Sequence, residues 1–149
     1  MQSYSIKMSD ASVDILLIED AEPDVFLVRE ALRQAGIAFQ LKVLDDGEKA
    51  IEYIDQLDGN SGAACPNLVL LDLNLPKRTG DQILEHIRQS VRCSQVPVLI
   101  VTSSDSPRDK TQTTQLGATA YFRKPSRLDE FMALGPLVRR LLERSARVS

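Results

Sequence analysis

The sequence has little of what several functional classes require. It holds only two cysteines, Cys65 and Cys93, without CxxC spacing, and one histidine, His86, so neither a zinc site nor a disulfide framework is indicated. Positive charge is also short: 18 Lys and Arg against 21 Asp and Glu leave a formal net charge of -3, without the general positive field on which non-specific nucleic-acid binding depends. The opening stretch MQSYSIKMSDAS has no apolar core like that of a secretory signal, and no segment approaches the roughly 20 apolar residues of a membrane helix. A cytoplasmic chain with neither nucleic acid nor membrane as its partner is the expectation. No internal repeat and no linker long enough to separate domains can be found.

What is present fits one domain. The 149 residues, 43% hydrophobic and 26% charged, suffice for a single substantial core. Five short apolar runs alternate with amphipathic stretches. The runs VDILLI (13–18), FQLKVL (39–44), NLVLLD (67–72), VPVLIV (96–101) and TAYF (119–122) read as strands, and their near-continuous Val, Leu and Ile suit parallel strands covered on both faces.

The intervening segments have helical spacing. AEPDVFLVREALRQAG carries Pro23 near a start and Gly36 at a stop; GEKAIEYIDQL places Ala50, Ile51, Ile54 and Leu57 on one side. DQILEHIRQS contributes Ile83, Leu84, Ile87 and, just beyond, Val91, while SPRDKTQTTQLG runs from Pro107 to Gly117. A fifth helix is expected from Ser126, capped by its hydroxyl with Asp129 three residues on, and bent or split at Gly135-Pro136. Its basic residues, Arg139, Arg140, Arg144 and Arg147, read as a solvated helix end. The loop DGNSGAACP reads as an exposed insertion. The two cysteines would lie just before adjacent strands, where an oxidised sample can bridge them, but reduced thiols are the expectation.

Five strand-helix units in this order predict an α/β fold, a doubly wound five-stranded parallel sheet with helices on both faces. Ligands of such sheets bind outside the carboxyl ends of the strands. Those ends offer Glu19 and Asp20 after the first strand, Asp72 after the third, Thr102 after the fourth and Lys124 after the fifth. Three carboxylates gathered there repel one another strongly unless a cation lies between them. Magnesium fits best, since it takes one or a few carboxylates, keeps waters and leaves room for a phosphate oxygen. Asp72 is then a covalent phosphate acceptor, with Lys124 and the Thr102 hydroxyl on other phosphoryl oxygens. Taken singly, each residue has a plainer reading as a turn, cap or solvated side chain; their joint placement favours chemistry. His86 lies mid-helix and receives no role.

Glu19-Asp20 after an apolar strand, LLDLNLPKRTG around Asp72, the pair Thr102-Ser103, and Tyr121 three before Lys124-Pro125 together resemble the response-regulator receiver domain of bacterial two-component systems. The resemblance covers residues 13 to 145, with 1–12 as an N-terminal extension, 146–149 as a tail and no output domain. It implies a flavodoxin-like (β/α)5 topology with strand order 2-1-3-4-5. It also implies a stand-alone response regulator whose Asp72 is phosphorylated by a sensor histidine kinase or phosphotransfer protein, with the chain catalysing only its own phosphorylation and dephosphorylation.

Asp20 and Asp72 would bind magnesium, or manganese in its place, Glu19 would act through a water, and the Asn74 backbone carbonyl would be a further ligand. Ser103 would leave the phosphate accessible, and the Lys124-Pro125 bond would be cis. Thr102 and Tyr121 would form the switch pair, read out on the face of helix four, strand five and helix five, where a homodimer is expected. The polar insertion before Pro66, LDLNLPKRTG and TSSDSPRD are also similar to receivers that accompany bacterial phytochromes, which makes a light-sensing kinase one expected partner. Glutamate at position 19, Ser104 and Gly135-Pro136 depart from the family pattern.

Rival readings differ in class. A receiver-fold binding module that is never phosphorylated would have no use for the full set of five side chains. A phosphohydrolase with an aspartate nucleophile would want an acid two residues on, where Asn74 stands. A flavin phosphate would be repelled by Glu19 and Asp20.

Overall fold

A computed structural model describes residues 12–148. Five strands, β1 (Val13–Ile18), β2 (Phe39–Leu44), β3 (Leu68–Leu71), β4 (Val98–Thr102) and β5 (Ala120–Arg123), alternate with α1 (Glu22–Gln34), α2 (Gly47–Asp58), α3 (Gly80–Arg88) and α4 (Pro107–Gln115). A short α5 (Leu128–Phe131) and a long α6 (Leu134–Val148) complete the chain. The strands form one sheet in the order β2-β1-β3-β4-β5, every pair parallel: the doubly wound sheet that the alternation predicts, in the flavodoxin-like order that the receiver resemblance implies. The expected N-terminal extension lies, up to residue 11, outside the described residues. The expected tail is described up to Val148, where α6 ends.

Period-two alternation in the central strands divides the core between the two faces. Leu16 and Ile18 of β1, Val69 and Leu71 of β3, and Val98 and Ile100 of β4 meet Ile54 of α2 and Ile83, Leu84 and Ile87 of α3. Their neighbours Ile15, Leu17, Leu68, Leu70, Leu99 and Val101 meet Val28, Ala31 and Leu32 of α1 and Phe131, Leu134 and Val138 of α5 and α6. Each such side chain removed from water contributes about 1.5–3 kcal/mol, enough for the two layers to fix the register. Val91 does not join them: α3 ends at Arg88 and Val91 is exposed.

Local signals set the helix ends. Asp46 caps α2 through the Lys49 amide at 2.8 Å, and Thr79 and Gln82 form a reciprocal capping box at the start of α3. Gly36 and Gly117 close α1 and α4 with φ of 73° and 100°. The C-terminal stretch departs from expectation. Ser126 does not cap; Arg127 is the N-cap residue of α5, and its side chain makes no capping bond to the backbone but pairs with the Asp129 carboxylate at 3.0 Å. The chain breaks before Gly135 rather than at it, so that Pro136 falls in the first turn of α6, where its missing N–H leaves no bond unmade. Gly135 there meets α1 so closely that a Cβ would collide with the Ala31 carbonyl oxygen.

The cysteines expected to be reduced are instead joined. Cys65, in the loop after α2, and Cys93, in the loop after α3, form a disulfide with Cα atoms 5.7 Å apart, inside the range a bridge spans. The two loops are already tied together. The Asp58 carboxylate accepts from the Ser90 hydroxyl at 2.6 Å and the Arg92 amide at 3.0 Å, and the Arg92 guanidinium donates to the carbonyls of Leu57, Asn60 and Ala63. The placement of the cysteines before adjacent strands allows the bridge, but these polar ties between the loops are not visible in the spacing.

A crosslink between residues so placed restricts the unfolded chain by about 3 kcal/mol. Reduction with excess dithiol is therefore expected to lower the thermal midpoint by several degrees. Equal midpoints in oxidised and reduced samples, with thiols titrated in both, would show that the bridge is absent in solution.

Candidate functional site

Because all five strands are parallel, their carboxyl ends share one rim, and the backbone delivers specific residues to it. The Glu19 amide donates to Leu44 at 3.0 Å, the Asp72 amide to Ile18 at 3.1 Å, and the Lys124 amide to Thr102 at 2.7 Å, so each side chain leaves its strand at a fixed height. Glu19, Asp20 and Asp72 each bring a carboxylate oxygen to a common point, all within 4.8 Å of one another. Glu19 and Asp72 are buried, at 2% and 6% exposure, while Asp20 faces solvent.

Lys124 answers this charge. Its side chain, 8% exposed, donates to Asp24 at 2.7 Å, to Glu19 at 2.8 Å and to Asp72 at 3.4 Å. Burial alone would lower the lysine, but the bonds to Asp24 and Glu19 and the field of Asp72 outweigh it and hold the ammonium above its ordinary range. Glu19 is pushed up to about 7, chiefly by burial and further by Asp72, against the lowering effect of Lys124. One ammonium among four carboxylates leaves negative charge in excess. An all-oxygen, anionic cluster with an exposed member suits a hard divalent cation that retains waters, as magnesium or manganese does.

The rest of the rim frames this centre. Thr102 is fully buried, and its hydroxyl has no hydrogen-bond partner. Ser103 is exposed. Tyr121, half-buried, donates its hydroxyl to the Ser104 carbonyl at 2.8 Å, and the Lys110 ammonium lies 5.6 Å from its ring centre. The Ser104 hydroxyl in turn donates to Asp109 at 2.5 Å. Asn74 continues from Asp72 into the loop before α3, its amide 3.4 Å from the Asp72 carboxylate. Gly80 closes that loop against the Asp72 carbonyl, where a Cβ would come within 2.5 Å.

The Lys124-Pro125 bond, expected to be cis, is trans, as is every described peptide bond. Trans is the commoner form before proline, and in it the lysine already reaches all three carboxylates. Asp24 escapes notice in the sequence because an acid in the first turn of a helix has a sufficient explanation in the helix dipole. Its position four residues after Asp20 and one after Pro23 is the available signal. His86 lies away from the rim and pairs with Asp55 at 2.8 Å. A cavity of about 600 Å³ opens between α1 and α2 beside Glu19 and Asp20, with Phe26, Arg29 and Lys49 in its walls.

Comparison with known proteins agrees with this geometry. Residues 15–134 match the model of the response regulator receiver domain. The response regulator Rcp1 of Synechocystis is 34% identical over 120 residues, which are 80% of this chain and 82% of that protein. The crystal structure of the phosphorylated cyanobacterial phytochrome response regulator RcpA superposes with a TM-score of 0.79 at 28% identity, covering 89% of this chain and 94% of that one. The Mn(2+)-bound form of Rcp1 gives a TM-score of 0.75 at 32% identity, covering 85% and 91%.

If the excess of carboxylates holds a divalent ion, millimolar Mn2+ or Mg2+ is expected to raise the thermal midpoint, and a chelator to reverse the gain. Asp20→Asn should lose most of it, because the substitution removes a charge at an exposed position without disturbing the core. A gain of equal size in this variant would place the ion elsewhere.

Proposed function

The chain belongs to the response regulator receiver family, and from that premise we propose that Asp72 accepts a phosphoryl group from a phosphohistidine on a sensor histidine kinase or phosphotransfer protein. The observation that carries this reading is the buried Asp72 carboxylate with the Lys124 ammonium 3.4 Å away and two further carboxylates converging on it.

An Asp72 oxygen attacks phosphorus as the P–N bond to the donor imidazole breaks, and the bond electrons leave with that nitrogen. The transition state is loose and rich in charge on its equatorial oxygens, so positioning and charge neutralisation are what the protein must supply. Asp20 and Asp72 directly, Glu19 through a water and the Asn74 carbonyl would hold magnesium or manganese, which when bound neutralises charge on the transferring group. Lys124 donates to a second phosphoryl oxygen. The Thr102 hydroxyl, which has no partner of its own, donates to a third, and exposed Ser103 leaves the donor, and later a water, free to approach. Hydrolysis by that water returns Asp72 to its carboxylate, so the only turnover is the chain's own phosphorylation and dephosphorylation.

Phosphorylation adds roughly one to two negative charges beside existing carboxylates. Thr102 moves toward the new oxygens, and Tyr121 gives up the Ser104 carbonyl and turns inward behind it, altering the face of α4, β5 and α6. A homodimer through that face is the output we favour, and a phytochrome-type kinase the donor, since RcpA, to which this chain is similar, is a phytochrome response regulator. No helix among the described residues is long and apolar enough to cross a membrane, and a cytoplasmic setting fits the rest of this reading.

Incubation with acetyl phosphate and Mg2+ is expected to add the mass of one phosphoryl group to the wild type and none to Asp72→Asn. Thr102→Ala should still accept the group but lose the phosphorylation-dependent change in oligomeric state. No mass gain in the wild type, or a gain that survives in Asp72→Asn, would favour a binding module that is never phosphorylated.

A further inference from the structure

An ammonium has three hydrogens to give, and Lys124 has placed all of them: on Asp24, on Glu19 and on Asp72. A phosphoryl oxygen arriving at Asp72 therefore needs one of these bonds to open. The three are not equivalent. Glu19 is 2% exposed, and parting from it would strand a buried carboxylate without its counter-ion. The bond to Asp72 is the longest, and its oxygen is where the new group arrives. Asp24 is the most exposed partner, at 28%, so water can replace the ammonium there at small cost.

We infer that Asp24 is the exchangeable counter-ion of Lys124, a positioning residue in the first turn of α1 that holds the ammonium until phosphorylation and then competes with the phosphoryl group for it. The inference rests on the reading of Asp72 as phosphoacceptor. The competition weakens the grip of Lys124 on the phosphorylated state, so that Asp24 limits the affinity for phosphoryl-like ligands and shortens the life of the acyl phosphate. The exchange also frees a carboxylate at the start of α1, two residues before Phe26, which is 60% exposed. A purely structural acid, serving only the helix dipole, would do neither.

The test uses beryllofluoride, a phosphoryl mimic, at saturating Mg2+, with the dissociation constant read by fluorine NMR. Asp24→Asn is expected to bind it roughly two- to fivefold more tightly than wild type, the range of a solvent-accessible ion pair. Asp24→Ser, which also suits a helix start, should show the same gain. Removing a nearby negative charge would favour any anion, so the decisive comparison is a double-mutant cycle with Lys124→Met. If Asp24 acts through the lysine, Asp24→Asn changes the affinity little in the Lys124→Met background.

An affinity unchanged or weakened in Asp24→Asn, or a full gain that persists without the lysine, overturns the inference and leaves the phosphoacceptor reading intact. A wild type that binds no beryllofluoride, or binds it as well after Asp72→Asn, overturns that reading and the inference with it.

Discussion

The organising constraint of this molecule is an imbalance of charge that the fold itself creates. A parallel sheet brings all its carboxyl ends to one side, and this chain ends two central strands in acids, Glu19 and Asp72, both largely shielded from water. Like charges confined in a poorly screened place are costly unless something positive joins them. Lys124 is the only cation bonded to these acids among the described residues, and it is drawn into contact with three carboxylates at once. It satisfies the site only in part, and the residual charge is what gives a divalent ion and an incoming phosphoryl group a place to act.

The rest of the structure serves to keep those acids in place. The alternating faces of β1, β3 and β4 lock the sheet between two apolar layers, so the heights of Glu19, Asp72 and Lys124 are set by registers that no single side chain can shift. Gly80 lets the loop after β3 double back against the Asp72 carbonyl, and Gly135 lets α6 lie against α1. In both places a side chain would force apart elements that the site needs together. By contrast, the Thr102 hydroxyl has no partner, and the Tyr121 hydroxyl holds only a backbone carbonyl.

Much of this is readable from residue order. Runs such as LVLL and VLIVT are too short and too apolar to be anything but covered strands, and the residue at or just past each end, Asp72 or Thr102, stands on the rim. The pattern works because strand ends are local and the rim is a direct consequence of parallel pairing. The features that escape it are decided by distant partners. Asp24 is an ordinary first-turn acid until Lys124 arrives from the far end of the chain. Cys65 and Cys93 are ordinary thiols until Asp58 and Arg92 draw two loops together. The start of α5 differs from expectation because Ser126 and Asp129 form a plausible capping pair, whereas Asp129 pairs with Arg127. The trans bond before Pro125 is not fixed by residue order, since the preference between the isomers before proline is small.

The Cys65–Cys93 bridge lies at the amino ends of β3 and β4, the pole opposite the acids. With Arg92 bonded to the carbonyl of Leu57 at the end of α2 and to two carbonyls of the loop that follows, that pole is tied together as an anchored base plate. Among the described residues no disulfide ties the other pole, and there the hydroxyl displacement proposed for Thr102 would be spent on the surface immediately around it.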